Sequence, residues 1–285
     1  MDPSRVTYVR LATPVGRLEE ALQELVAPLL REIEGNRLLD AAFFARYQWE
    51  ALIFILGEPE WLSGPLGSLV EARVAELRAK GLVLRQALAG YQPEYERYGG
   101  VEGMRLAERI FQEDSLACLE LIEADSRGLL GKSRREYSLV LTERLLDLLH
   151  FDPAWRISFY RFSYAWALEQ GTWQEDDLRL LEKKYQGVKD GLASLLDHDP
   201  ERDSEALYGG AEPADIAERW IEATRPLIDR LVDGHAEGRI QQDLVQLAWS
   251  YTHMQCNRLG ITGDAEAILR FFMHRLYEDG MREAV

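Results

Sequence analysis

The chain has 285 residues, of which 47% are hydrophobic and 29% are charged, the balance of an ordinary globular protein. Its 49 acidic and 33 basic side chains give a net charge of −16, which argues against a protein that wraps nucleic acid. No apolar run approaches the roughly 18 residues that span a bilayer, and the first residues lack the features of a signal peptide. Two cysteines do not make a disulfide framework, so we predict a cytoplasmic protein without a membrane or nucleic-acid partner.

The first 90 residues alternate between strand and helix patterns. The predicted elements are strands over 5–11, 41–47, 51–56 and 82–88, a helix from Leu18 to a stop at Gly35, and a helix over 66–80. The strand over 51–56 is apolar on both faces, which predicts a central position in a sheet. The order β-α-β-β-α-β is the ferredoxin-like signature.

Beyond the pair Gly99-Gly100, nearly every segment has helical periodicity. Because strands come early and helices late, the pattern predicts an α+β fold. We expect a small ferredoxin-like antiparallel sheet with its helices over residues 1–90, followed by a mostly helical part over 91–285. We expect residues 1–285 to form one domain.

The sequence offers no standard cofactor site. A glycine-rich phosphate loop, a dinucleotide fingerprint and a nucleophile elbow are all absent. The five histidines have no metal-ligand spacing, and His253 with Cys256 supplies only two of the ligands that a zinc site requires. We therefore predict no metal site.

The helix predicted over 240–259 carries a stripe of short polar side chains. Asp, Gln, Ser, His and Asn stand at positions 243, 246, 250, 253 and 257, at helical spacing. Such groups suit a partly enclosed cavity, whereas a solvated face usually carries Lys, Glu and Arg. Two interpretations stay open: a site lined by Ser250, Tyr251 and His253, or an amphipathic helix with a weakly charged outer face.

An aromatic segment over 155–166 is open to two interpretations as well. Trp155 and Phe159 belong to a set at core spacing, which favours packing. Arg156 and Tyr160 place polar groups on other faces of the same helix. The helix could therefore stack flat heteroaromatic groups of a substrate instead.

Arg97 stands in a predicted turn between the sheet and the helical part. An arginine held there presents a fixed guanidinium to a carboxylate or a carbonyl. The alternative is a structural ion pair with Glu94 or Glu96.

Three ordered motifs lie between about residues 40 and 260. They read Phe43-Phe44-x-Arg46-Tyr47 with Gly57-Glu58-Pro59, then Tyr91-x-Pro93-Glu94-x-x-Arg97-Tyr98-Gly99-Gly100, and finally His253-Met254-x-x-Asn257-Arg258-Leu259-Gly260. Together they resemble the signature of the lantibiotic dehydratase C-terminal family, also called the thiopeptide-type bacteriocin biosynthesis family. The large glutamylating domain that precedes this unit in full-length dehydratases has no counterpart here, so we expect a stand-alone version.

The resemblance implies two chemistries within one family. Eliminating members use arginines and a histidine to remove an α-proton from a glutamylated Ser or Thr while glutamate leaves, and Arg97 and His253 match two of these residues. The family's strand normally reads His-Leu-Arg-Leu-Arg, whereas residues 50–54 here place Leu52 and Phe54 at the two arginine positions. A leaving glutamate would lose its main cationic partners, which disfavours elimination.

The stand-alone pyridine synthases of thiopeptide biosynthesis are the better match. They join two dehydroalanines of a leader-bearing, thiazole-containing peptide in a formal [4+2] aza-cycloaddition, with loss of water and of the leader. For this reaction the catalytic candidates are Ser250, Tyr251, His253, Arg97 and Tyr277, and the substrate-binding candidates are Asn257, Arg156, Tyr160, Trp155 and Phe159. The resemblance implies no metal and no organic cofactor.

The partner implied by the resemblance is a ribosomally made precursor peptide. Two rival functions remain: a stand-alone glutamate-eliminating subunit of a split dehydratase, and a non-catalytic subunit that binds a leader peptide along an edge of the small sheet. The oligomeric state is open, with a homodimer among the options.

Overall fold

A four-stranded antiparallel sheet forms the N-terminal part of the protein. In the computed structural model, which describes residues 2–169, 173–196, 205 and 208–283, the strands are Val6–Ala12 (β1), Leu39–Tyr47 (β2), Glu50–Gly57 (β3) and Arg85–Leu88 (β4). Their order is β2-β3-β1-β4, and every neighbouring pair is antiparallel. This is the ferredoxin-like arrangement predicted from the sequence, with the doubly apolar strand β3 in the centre.

Two helical segments cover one face of the sheet. The first, α1, spans 18–33 as Leu18–Ala21, a π-helical turn Leu22–Val26 and Ala27–Ile33, and the second, α2, spans 59–79 as Pro59–Trp61, a π-helical turn Leu62–Leu66 and Gly67–Ala79. The prediction of a helix start at residue 66 was wrong. Pro59 opens α2 at the position where a helix tolerates proline, and the π-helical turn accommodates Pro65.

The rest of the described chain is helical, as predicted for an α+β fold. The helices are Val101–Ser126 (α3), Arg134–Leu148 (α4), Pro153–Glu169 (α5), Glu175–Leu196 (α6), Ala211–Ala236 (α7), Leu244–Leu259 (α8) and Gly263–Glu283 (α9). Helix α3 lies between the sheet and the bundle, because it contacts β2 on one side and α7 and α8 on others. Among the described residues, no helix has both the length and the apolar character needed to cross a membrane.

Side chains from the bundle seal the outer edge of β2. The bonds join Gln112 Oε1 to the Ala42 amide (3.1 Å), Ser115 Oγ to the Phe44 amide (3.1 Å), Arg258 Nε to the Phe44 carbonyl (2.8 Å), and Asn257 to both the amide and the carbonyl of Arg46 (2.8 Å each). An edge strand with unpaired groups would invite another chain, and these bonds prevent that. The seal also ties β2 to α3 and α8.

Candidate active site

Three aromatic rings stack across the face of the sheet that α1 and α2 leave uncovered. The strand register places Tyr8 opposite Phe54, and Phe54 opposite Phe43. Their ring centroids lie 4.4 Å and 4.9 Å apart, with the planes nearly parallel. Cross-strand aromatic pairs stabilise a sheet, and side chains two apart on a strand share one face. We call this row of Tyr8, Phe54 and Phe43 the aromatic ladder.

The aromatic ladder forms one wall of a cavity of about 270 Å³. The facing walls come from the turn after β4, from α3 and from α8, through Tyr91, Tyr98, Phe111 and Met254. Burying a flat ring against stacked aromatic side chains is favourable, so this pocket suits a planar heteroaromatic group. We call it the aromatic pocket.

Arg97 lies beside the aromatic pocket and bonds to the polar face of α8. Its Nε donates to Ser250 Oγ over 3.0 Å, and its Nη1 contacts Glu94 Oε2 at 3.3 Å. The guanidinium also lies 5.3 Å from the ring centroid of Trp249. The structure therefore brings together Arg97 and Ser250, which are 153 positions apart in sequence, and Arg97 also forms the ion pair with Glu94.

His253 is held by a buried carboxylate. Its Nδ1 lies 2.8 Å from Glu266 Oε2, and its ring stacks on Trp249 at a centroid distance of 5.5 Å. The His253 side chain is 38% exposed, whereas that of Glu266 is 4% exposed and lies 3.6 Å from Arg270. A carboxylate accepts only, so Nδ1 carries the proton and Nε2 is the nitrogen free to act as a base.

Tyr251 lies on a different side of α8. Two residues of helix turn the chain by about 200°, so Tyr251 points into the core while His253 stays partly exposed. Its ring packs near Tyr98 and Phe111, at 5.7 and 6.0 Å, and its hydroxyl has no hydrogen-bond partner among the described residues. Burial raises the pKa of the phenol well above its usual value. The structure thus separates Tyr251 from Ser250 and His253, with which it was predicted to line a site.

We expect Tyr251→Phe to leave turnover close to the wild-type rate. The substitution removes a buried hydroxyl that pairs with nothing, so the free energy of unfolding should stay equal or rise by roughly 1 kcal/mol. Steady-state rates and thermal unfolding measure both effects. A turnover loss of tenfold or more would assign the phenol to the reaction after all.

Three other predicted residues gather in a second cluster, around Glu143 of α4. Tyr277 of α9 donates to Glu143 Oε2 over 2.5 Å, and Arg156 and Tyr160 of α5 bond to the same carboxylate. Glu143 and Tyr160 are buried. These bonds hold α4, α5 and α9 together, away from the aromatic pocket, whose lining includes none of the three residues.

Two of the aromatic residues of α5 that were predicted to stack on substrate are buried. Phe159 and Tyr160 are fully buried, and Arg270 lies over their rings at 5.6 and 6.0 Å. Trp155 is exposed, and its ring packs against that of Phe151 at a centroid distance of 5.5 Å. Phe159 and Tyr160 therefore pack within the helical part, whereas Trp155 keeps an exposed ring. Asn257 was also expected to bind substrate. Its side-chain amide instead forms hydrogen bonds with the backbone of Arg46 in β2.

The sequence reading missed the aromatic ladder and Glu266. The ladder depends on the register of three strands, and no local pattern in the sequence reports that register. Glu266 follows His253 by 13 positions, and the turn between α8 and α9 brings the two together. The signal available in the sequence was an acidic residue among the apolar positions of α9, because a buried acid usually has a partner.

Residues 7–277 match the family described as lantibiotic biosynthesis dehydratase C-term. The chain belongs to this family. The membership confirms the resemblance predicted from the three motifs. A comparison with curated protein sequences gives no match.

Solved structures share the fold of this family member. The tRNA-dependent lantibiotic dehydratase MibB from Microbispora sp. 107891 superposes with a TM-score of 0.73 at 23% identity, over 100% of the chain. The chain spans 29% of the length of MibB. TsrL matches with a TM-score of 0.65 at 17% identity over 97% of the chain and 95% of its own length. TbtD, a pyridine synthase from thiomuracin biosynthesis, matches with a TM-score of 0.62 at 15% identity, over 96% of the chain and 98% of its own length.

Proposed function

We propose that the protein is a cytoplasmic, stand-alone pyridine synthase of thiopeptide biosynthesis. It would bring two dehydroalanines of a leader-bearing, thiazole-containing peptide together in a formal [4+2] aza-cycloaddition. One dehydroalanine reacts as the iminol tautomer of its amide, new C–C bonds close the ring, and loss of water and of the leader peptide gives a pyridine. We propose that this requires no metal and no organic cofactor.

The aromatic ladder is the observation that carries the proposal. Phe54 stands at one of the two positions where the family's strand motif has an arginine. Here its ring stacks between those of Tyr8 and Phe43. A departing glutamate carboxylate would meet apolar rings in that wall, at a cost in desolvation. A planar thiazole would stack on the same rings. The lining of the pocket therefore supports an uncharged heteroaromatic substrate.

His253 is the proposed proton shuttle. A base is needed to move the amide proton to the carbonyl oxygen that becomes the iminol, and later to take a ring proton as water leaves. Glu266 holds His253 through Nδ1, which orients Nε2. We infer that Glu266 is a positioning residue.

We propose that Arg97 binds a backbone carbonyl of the substrate peptide. Its bond to Ser250 and its packing on Trp249 fix the guanidinium next to the turn that lines the aromatic pocket. Fixing one end of the peptide while its rings stack in the pocket raises the effective concentration of the two dehydroalanines. Ser250 is buried and acts through Arg97.

A mass-spectrometric assay tests the proposal against its two rivals. A dehydrated, thiazole-containing precursor should lose its leader plus one water and gain the absorbance of a substituted pyridine. Conversion of a glutamylated precursor with loss of glutamate would establish the eliminase instead. Binding of both precursors with no change in mass would establish a leader-binding subunit.

One observation favours leader binding as a second function of the same chain. The seal on β2 leaves β4 as the other edge of the sheet, with exposed leucines just before its first residue (Leu84) and at its last residue (Leu88). An extended peptide adds to such an edge through backbone hydrogen bonds. Weakened precursor binding by a proline at Gln86, with the fold intact, would support this use of the edge.

We expect Phe54→Arg to raise the KM for the thiazole-containing precursor about tenfold. The substitution removes the ring on which a thiazole would stack, and one such aromatic contact contributes roughly 1.4 kcal/mol, a factor of about ten in affinity. Steady-state kinetics of the pyridine-forming reaction measure the change. Leu180→Arg places the same charge on an exposed position of α6, away from both proposed binding surfaces, and serves as the control. An unchanged KM for Phe54→Arg would show that substrate does not use the ladder.

A further inference from the structure

Tyr91 connects the aromatic pocket to a buried acid. Its ring packs edge-on against the aromatic ladder, 5.5 Å from Phe54 and 6.5 Å from Phe43, and lines the aromatic pocket. Its hydroxyl donates to Glu108 Oε1 of α3 over 3.0 Å. The phenol therefore faces the candidate substrate with its ring and a carboxyl group with its oxygen.

Glu108 faces a second, polar cavity. This cavity has a volume of about 480 Å³ and is lined by Glu108 together with Asp2, Arg5, Asp40, Arg105 and Arg109. Most of these side chains are exposed, so the cavity meets solvent, whereas Glu108 itself is only 4% exposed. The bond between Tyr91 and Glu108 thus connects a residue that lines the aromatic pocket to a residue that lines the polar cavity.

The surroundings of Glu108 favour its protonated form near neutral pH. Burial raises the pKa of Glu108 to about 7, with a smaller contribution from Asp40 in the same direction. Tyr91 and Arg105 act in the opposite direction. Arg5 bonds to Asp40 and Glu58, and Arg109 bonds to the Asp40 carbonyl, so both arginines are engaged elsewhere.

We propose that Tyr91 and Glu108 form a proton relay that delivers a proton to the aromatic pocket. The relay rests on the proposed function and names the acid of its dehydration step. A base, His253 in our proposal, removes a proton from the ring carbon next to the C=N bond of the cycloadduct. The electron pair of the broken C–H bond forms a C=C bond, and the π pair of the C=N bond moves to form a new C=N bond with the carbinol carbon. The C–O bond of that carbon breaks.

The leaving hydroxyl takes the proton of Tyr91 and departs as water. In the same step the protonated Glu108 carboxyl gives its proton to the Tyr91 oxygen, because burial raises the pKa of the phenol far above its usual value and disfavours a free phenolate. Glu108 is then reprotonated from the polar cavity. No oxidant or reductant is consumed, and each proton that enters the pocket comes from solvent. Tyr91 touches the substrate in this scheme, and Glu108 acts through it.

Kinetics of Tyr91→Phe and Glu108→Gln test the relay. Both variants should lower kcat on the order of 100-fold with little change in KM, because each leaves stacking intact and removes proton transfer. The wild-type rate should fall as pH rises through about 7, when Glu108 loses its proton, and Glu108→Gln should lose that dependence. Glu108→Asp should recover part of the rate. Tyr95→Phe, on the same turn, and Glu71→Gln, on α2, are matched controls.

A stability measurement tests the acid without using the reaction. The folded pKa of Glu108 lies above its unfolded value of about 4.5, so the carboxyl stabilises the fold at low pH and loses this effect as pH rises through about 7. The melting temperature of the wild type relative to Glu108→Gln should therefore fall between pH 5 and pH 8. A constant difference would overturn the relay.

The outcomes separate the relay from the proposed function. Absence of a pyridine product from the wild type would remove the proposed function and, with it, the role of the relay. Product formation by the wild type, with Tyr91→Phe and Glu108→Gln at the same rate, would overturn the relay alone.

Discussion

Replacing His253 with alanine is expected to lower the turnover number on the order of 100-fold or more, while the affinity for the leader peptide stays unchanged. The substitution removes the imidazole that Glu266 orients, and a positioned general base typically contributes a factor of this size. Product formation by mass spectrometry and leader binding by fluorescence anisotropy measure the two quantities separately.

Two controls make this result specific. Glu266→Gln keeps a hydrogen-bonding partner for Nδ1 but removes its charge, so we expect a smaller loss in kcat and a shifted pH profile. His235→Ala changes a histidine on α7, outside the candidate site, and should leave the rate unchanged. Wild-type conversion by His253→Ala would remove the histidine from the mechanism.

Asp114→Ala is expected to destabilise the fold by about 3–5 kcal/mol. Arg258 is 0% exposed, and its Nη1 bonds to Asp114 Oδ2 over 2.7 Å, while Gln255 Nε2 bonds to the other carboxylate oxygen at 2.7 Å. Without the carboxylate, the protein must bury the guanidinium charge uncompensated. Denaturant unfolding followed by circular dichroism measures the loss.

A double variant distinguishes charge from packing at this position. Asp114→Leu combined with Arg258→Met removes both charges and keeps much of the volume, so it should recover most of the lost stability. The recovery will be incomplete, because Arg258 Nε also bonds to the Phe44 carbonyl. If the double variant were as unstable as Asp114→Ala, packing rather than a buried charge would explain the loss.

The fold could be predicted because its signals are local. Alternation along β1, the doubly apolar β3 and the leucine spacing of α1 each lie within about ten residues, where periodicity reports secondary structure directly. The start of α2 could not be predicted, because the pair Pro59 and Pro65 suggests a break and only the π-helical turn shows how the helix continues through it.

The candidate site could be predicted only in part. The polar stripe of α8 identifies Ser250 and His253, whereas Tyr251 belongs to the apolar stripe of the same helix and lies in the core. The partner of His253 and the aromatic ladder depend on contacts between distant segments. Those contacts are fixed by strand register and by the angle between helices, which a single sequence does not report.

The seal on β2 has a mechanical consequence for the aromatic pocket. Asn257 and Arg258 fasten the end of α8 to the backbone of β2, and Gln112 and Ser115 fasten α3 to the same strand. The sheet wall and the helix walls therefore behave as one frame, whose width a guest molecule cannot easily change. The segment from Tyr91 to Gly100 is tied to the helices as well, because Tyr91 bonds to Glu108 and Arg97 bonds to Ser250, so a guest molecule must match the pocket in its present shape.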